Sequence, residues 1–271
     1  MPRPSDGPGT SLTYSVGDAT VAPGMRAVAR ARAGLSDDGS VRMLDLRSEV
    51  PIALRFAGSL LTVVGSGGGP VGGDSVDLDL SLEPGVRLEV TSSAATVALP
   101  GPEWVEGAPS EMSVTVSVGP GGYLVWNPMA GVAASGCDHR TSYRVQLAPT
   151  SSLDWFDRVA LGRFGEAPGK WTTAMSVEID GRPLYRSELL VGAGSFCRGQ
   201  AALGWVRIIG SILMVRPTWR SRPPPSTPLD GPGYMGEIQA LAGPGMIATV
   251  MTADHPTLDA VLARVQASLG D

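Results

Sequence analysis

The chain has 271 residues, 43% of them apolar and 17% charged, which is ample material for a buried core and excludes global disorder; one domain is the expectation for an all-β chain of this length. A formal charge of -5 excludes a nucleic-acid surface as its main business, because such surfaces concentrate Lys and Arg on one face. Two cysteines, Cys137 and Cys197, are too few for a disulfide framework, and no apolar signal core opens the chain, so a cytoplasmic protein is expected.

Residues 1–14 read as a mobile tail, since Met1-Pro-Arg-Pro-Ser-Asp-Gly-Pro-Gly9 is turn-rich and has no apolar period. Arg26, Arg30 and Arg32, spaced by alanine, read as a strand edge. From Val76 the sequence alternates, with Val76, Leu78, Leu80 and Leu82 on one side and Asp77, Asp79 and Ser81 on the other, which predicts a half-buried strand ending at Glu83-Pro84-Gly85.

That unit recurs when the chain is aligned on Pro84, Pro120 and Pro149. Two, four and six residues before each proline stand Leu82/Leu80/Leu78, Val118/Val116/Val114 and Leu147/Val145/Tyr143. Four and six residues after come Leu88/Val90, Leu124/Trp126 and Leu153/Trp155. Three copies of strand, tight turn, strand follow. Such units cannot bury an apolar face alone, so stacking into a layered or β-helical body is one solution, and a sandwich of three meander hairpins is the other. The class is all-β either way.

Asp180-Gly181 between Met175–Ile179 and Leu184–Leu190 is a hairpin signal. The apolar run Ala201 to Val215 is broken by Arg207 and Gly210 and falls short of the roughly 20 residues that span a bilayer, so no membrane segment is expected. Residues 217–233, with Pro223-Pro224-Pro225, read as an exposed proline-rich loop. After a strand near Met246–Met251, Asp254 is placed to cap a helix from Pro256 to Leu269 whose Leu258, Val261, Leu262, Val265 and Leu269 share one face.

The glycines of Gly67-Gly-Gly69-Pro-Val-Gly72 run into a strand rather than a helix, so they form a tight loop and not a dinucleotide site; a phosphate loop is absent. Neither His139 nor His255 sits in a hydrolase motif. On an extended strand Cys137 and His139 share a face, so Cys137, Asp138 and His139 form a weak candidate set for a late transition metal, against the commoner reading of a buried cysteine beside a surface histidine. Asp74, Asp77, Asp79, Glu89, Asp138, Asp157 and Glu166 accompany the strands; as outer-face residues they are solvated, and lining an interior passage they would attract a divalent cation without a tight cage.

Gly67 to Leu80, Leu82-Glu-Pro-Gly-Val-Arg-Leu88, Thr91-Ser-Ser-Ala-Ala-Thr96 and Leu161-Gly-Arg-Phe-Gly-Glu166, in that order and spacing, resemble the successive signatures of the urease accessory protein family UreD, also called UreH. Trp126-Asn-Pro128 and Asp180-Gly-Arg-Pro-Leu184 fall at comparable turns, and Gly136-Cys-Asp-His-Arg140 resembles actinobacterial members most. The resemblance implies a β-helical, non-enzymatic protein with two helices near its C-terminal end, which binds UreF and, through it, the GTPase UreG, docks on urease subunits, and holds no tight cofactor but passes nickel through a partly acidic interior. It makes Asp74, Asp77, Arg163 and Glu166 the candidates for the nickel path or for partner binding. The family's Thr-Thr-Gln run stands here as Thr91-Ser92-Ser93, and its lysine as Val97. The alternative function is a β-helical module for a sugar or peptide, with Trp104, Trp126, Trp155 and Trp171 as stacking platforms.

Overall fold

The computed structural model describes residues 24–102, 107–194 and 204–269. The expected tail, Trp104 and Cys197 lie outside them. The described residues begin with two antiparallel hairpins: β1 (Arg26–Leu35) with β2 (Val41–Arg47), and β3 (Ile52–Ala57) with β4 (Leu60–Gly65). Three coils follow. The first comprises β5 (Ser75–Leu82), β6 (Arg87–Ser92) and β7 (Thr96–Ala98), and the second β8 (Ser110–Val118), β9 (Tyr123–Asn127) and β10 (Gly131–Ala133). The third comprises β11 (Asp138–Leu147) and β12 (Ser152–Ala160), a single strand long enough to pair with both β9 and β10. A fourth begins as β13 (Lys170–Ile179) and turns back as β14 (Arg182–Gly192).

The strands collect into two sheets. In the first, β1, β5, β8, β11 and β13 run parallel, flanked by β2 and β14. In the second, β4, β6, β9 and β12 run parallel. The proline alignment is the structural register: Leu80 pairs with Val116 and Val116 with Val145, while Leu88 pairs with Leu124 and Leu124 with Leu153. The turns at Pro84, Pro120 and Pro149 therefore close no hairpin; each carries the chain from one sheet to the other. That decides for a stacked, solenoid-like body, in which every coil buries its apolar face on the coils beside it. The corners pair as well, with Gly85 N–H donating to Pro120 O at 2.9 Å.

The aligned Leu, Val, Tyr and Trp residues form one core between the sheets. Trp126 and Trp155 stack inside it at 4.7 Å, with Tyr143 edge-on to both. The 180–181 hairpin forms as expected, Asp180 and Gly181 both taking the positive φ (53° and 71°) that a type I′ turn requires.

The second sheet is completed by β15 (Ile208–Val215), β16 (Thr227–Gly231), β17 (Tyr234–Ala240) and β18 (Gly245–Thr252), and its outer face is covered by helix α1 (His255–Leu269). Asp254 caps α1, accepting the Thr257 N–H at 2.8 Å. Two expectations need correction. The proline-rich stretch 217–233 is not simply an exposed loop: Pro217–Arg220 is a 3-10 turn whose Trp219 is buried, and Thr227–Gly231 is the edge strand β16. The edge is where a sheet tolerates Pro228. The described residues also hold one α-helix near the C-terminus rather than two.

Candidate functional site

Strand alternation decides what enters the space between the sheets. Along β12 it turns Trp155, Asp157 and Val159 inward and Asp154, Phe156 and Arg158 toward α1. Near the end of the stack several inward positions are polar: Asp157 on β12, Thr173 on β13, Ser187 on β14, Ser211 on β15 and Thr249 on β18. Together with apolar neighbours they line a cavity of about 220 Å³.

Exposed Glu188 of β14 lines its outer side, and the carboxylate that reaches it from between the sheets is Asp157. It accepts the Tyr143 hydroxyl at 3.3 Å and a second hydrogen bond from Thr173, whose oxygen in turn accepts the Trp171 indole N–H at 3.1 Å. Burial pushes the Asp157 carboxyl up to about 6, against the pull of Tyr143, Thr173 and Arg158. Burial, with Asp157 beside it, raises the Tyr143 phenol well above its ordinary range. The buried Trp155 N–H, on the same wall, has no partner among the described residues. A carboxyl that ionises near neutral pH, ringed by hydroxyls, can hold water and attract a hydrated cation; no group of three His, Cys, Asp or Glu among the described residues forms a cage.

The residues singled out in the sequence are dispersed. Asp74 accepts the backbone N–H of Met25 and of Val71, both at 2.9 Å, and so pins the start of β5. It lines a second cavity of about 250 Å³ beneath the glycine loop 67–70 and the segment 92–96. Asp77 is exposed on the outer face of the first sheet. Arg163 and Glu166 face each other on the crossover from β12 to β13 and form a bidentate pair at 2.9 and 2.7 Å. The Arg163 side chain beside Glu166 holds that carboxyl down at about 2.

Cys137 and His139 do share a face, inside the protein. Ser110 Oγ lies 2.8 Å from His139 Nδ1, Thr141 Oγ1 lies 3.1 Å from Nε2, and the ring packs on Trp171 at 4.3 Å. Burial holds His139 down at about 4, so it is neutral at pH 7 with both nitrogens engaged. Burial first, and Asp138 second, raise the Cys137 thiol to about 11. Asp138 pairs instead with Lys170 Nζ at 3.0 Å. The three side chains do not converge.

Sequence reasoning named Asp157 only within the acidic set and missed the hydroxyls around it. The signal was available as phase: Thr173 interrupts the inward run Trp171, Met175, Val177, Ile179, and Ser211 lies between Ile209 and Leu213.

Residues 27–269 match the family described as UreD urease accessory protein. Similar proteins include the urease accessory protein UreD of Frankia alni, 36% identical over 267 residues (80% of this chain, 88% of that one). UreD 3 of Streptomyces griseus is 36% identical over 255 residues, covering 91% and 98%. UreD of Streptomyces avermitilis is 34% identical over 256 residues, covering 92% and 99%. Likeness running through nearly the whole of these chains, on a body whose sequence repeat is its structural repeat, leads to one assignment: the chain belongs to the UreD family of urease accessory proteins.

Proposed function

We propose that this chain is a non-catalytic adaptor in urease maturation that binds UreF and, through it, the GTPase UreG, docks on apo-urease in the cytoplasm, and conducts nickel through its interior. The observation that carries the reading is the polar chamber around Asp157 between the two sheets. A β core gains by filling such positions with apolar side chains, so four hydroxyl side chains around one carboxylate favour a purpose other than packing. Nickel is cargo here. Carboxylate and hydroxyl groups that form no closed cage steer a hydrated divalent ion and let it leave, whereas a closed ligand set would retain it. The neutral His139 and protonated Cys137 take no part in this path.

The alternative, a sugar- or peptide-binding module, loses its support because Trp126, Trp155 and Trp171 are buried. No described helix is long and apolar enough to cross a membrane.

Asp157→Ala tests the conduit. The variant is expected to co-purify with UreF and UreG at wild-type yield while nickel incorporation into urease falls. Unchanged incorporation refutes the conduit; lost co-purification assigns Asp157 a structural role. For the adaptor, wild-type chain that captures neither UreF nor UreG, with urease activated normally in its absence, refutes the reading.

A further inference from the structure

The two sheets end unevenly. Leu184 of β14, the last strand of the first sheet, lies against Gly243 and Gly245, which sets β14 opposite β18. The second sheet runs on past β18 through β17 and β16, and among the described residues no strand stands opposite that overhang. Met235, Glu237 and Gln239 turn to its inner face beside Met251, Thr249 and Ile247, and Met235 is 40% exposed there. Across the gap Leu189 of β14 points inward with Tyr185 and Ser187, yet is 41% exposed. The edge of β14 is also unguarded. Elsewhere the sheet edges are blunted: β2 has a register shift against β1 and carries Arg42, Asp45 and Arg47, β3 has six residues with Arg55 among them, and β16 has five and holds Pro228. β14 has eleven residues, and from Tyr185 to Val191 it contains no proline or lysine and keeps an unbroken register on β13.

A sheet edge offers a row of backbone N–H and C=O groups that another extended chain satisfies in full. Beside β14 there is room for such a chain, because β17 and β16 already supply the opposite layer. A second copy cannot use the same edge: setting two β14 strands side by side would drive both overhangs into one layer. Charge narrows the occupant further. Arg186 is engaged by Glu178 at 3.1 Å, whereas exposed Glu188 has no partner among the described residues, and Glu237 and Asp230 lie on the inner face of the overhang. The slot is therefore apolar within and negative around. We infer that β14 receives, as an added strand, an extended segment of a partner protein in which apolar residues alternate with Lys or Arg. The apolar residues face Leu189 and Met235, and a basic one stands beside Glu188. Main-chain bonds supply the affinity of such a strand and its alternate side chains the selectivity.

The test titrates the full-length chain with three blocked heptapeptides: lysine alternating with valine, glutamate alternating with valine, and the lysine peptide with its central valine replaced by proline. Wild type binds the lysine peptide. The glutamate peptide binds about fivefold or more weakly, the scale of a cross-strand charge pair, and the proline peptide about tenfold or more weakly, because it lacks a ladder N–H. Glu188→Lys, a surface change that melts with wild type, reverses the preference between lysine and glutamate peptides. Three outcomes overturn the inference. Wild type binds none of the peptides, as when a segment of this chain already holds the edge; it binds lysine and proline peptides alike, so that no strand pairing is involved; or Glu188→Lys keeps the wild-type order, so that the peptide sits elsewhere. None of the three bears on the adaptor reading, which is tested by UreF and UreG capture.

Discussion

Two titratable side chains that face the interior, His139 and Asp157, bend the stability of this protein with pH in opposite directions. His139 titrates at about 4 against 6.5 when unfolded, so the unfolded chain binds the extra proton between those values; stability is fully present above pH 6.5 and lost as pH falls toward 4. Asp157 titrates at about 6 against 3.8, so there the folded chain holds the extra proton; its contribution is present below pH 3.8 and lost as pH rises through 6. Between pH 4 and 6 the two nearly offset each other. Asp157→Asn removes one side, and its denaturation midpoint in urea should fall more steeply than wild type as pH drops from 6.5 to 4; parallel curves would show that Asp157 does not titrate in that window. The same titration bears on transport, because the carboxylate carries its charge only above about pH 6, and nickel transfer by the wild type should decline below it. At His139 the Ser110 hydroxyl matters as much as the ring. Ser110→Ala strands Nδ1 in a buried site and should cost about 1–3 kcal/mol, read as a lower melting temperature.

At the level of elements, α1 and the outer face of β12 are joined by buried charge. Arg216 pairs with Asp154 Oδ1 at 2.6 Å, and Asp154 Oδ2 accepts the Tyr123 hydroxyl at 2.7 Å and the Gln266 amide of α1 at 2.8 Å. Arg216 also donates to the carbonyls of Leu153 and Val215 and lies over the rings of Tyr123 and Trp219. Removing one partner leaves the other charged and dry, so Asp154→Ala should destabilise by about 3–5 kcal/mol in urea unfolding. Asp154→Ala with Arg216→Met should recover much of that, and a double variant no better than Asp154→Ala alone would contradict the argument. The helix was legible in the sequence, because apolar spacing and the Asp254 cap are local signals. The ion pair was not, since 62 residues separate its members and nothing near either points to the other. The same contact explains why composition misled over 217–233: proline density describes local preference, whereas Trp219 is held by packing against the second sheet and by Arg216 above it.

At the scale of the whole molecule, the repeat could be read from sequence because stacking is a one-dimensional rule. Each coil meets its neighbours in register, so Leu80, Val116 and Val145 had to share a row once their prolines were aligned. The chamber could not be read that way. It exists where the fourth coil turns back as β14 and the second sheet continues through β15 and β18, and no periodicity states where that happens. The two outer faces differ for the same reason. The first sheet turns Asp77, Thr115, Arg144 and similar residues to water, while the second offers Phe156, Ile212, Met214, Met246 and Val250, which only α1 and its surroundings cover. Four buried side chains of α1, Leu258, Val261, Leu262 and Val265, contribute about 1.5–3 kcal/mol each, roughly 6–12 kcal/mol together, comparable with the about 5–15 kcal/mol that holds a whole domain. A chain truncated after Asp254 should therefore fail to remain a folded monomer. In gel filtration it is expected to run as aggregate and to bind a hydrophobic dye that the full chain ignores. A truncated monomer melting at the wild-type temperature would mean that the solenoid stands without its helix and that α1 serves some end other than covering that face.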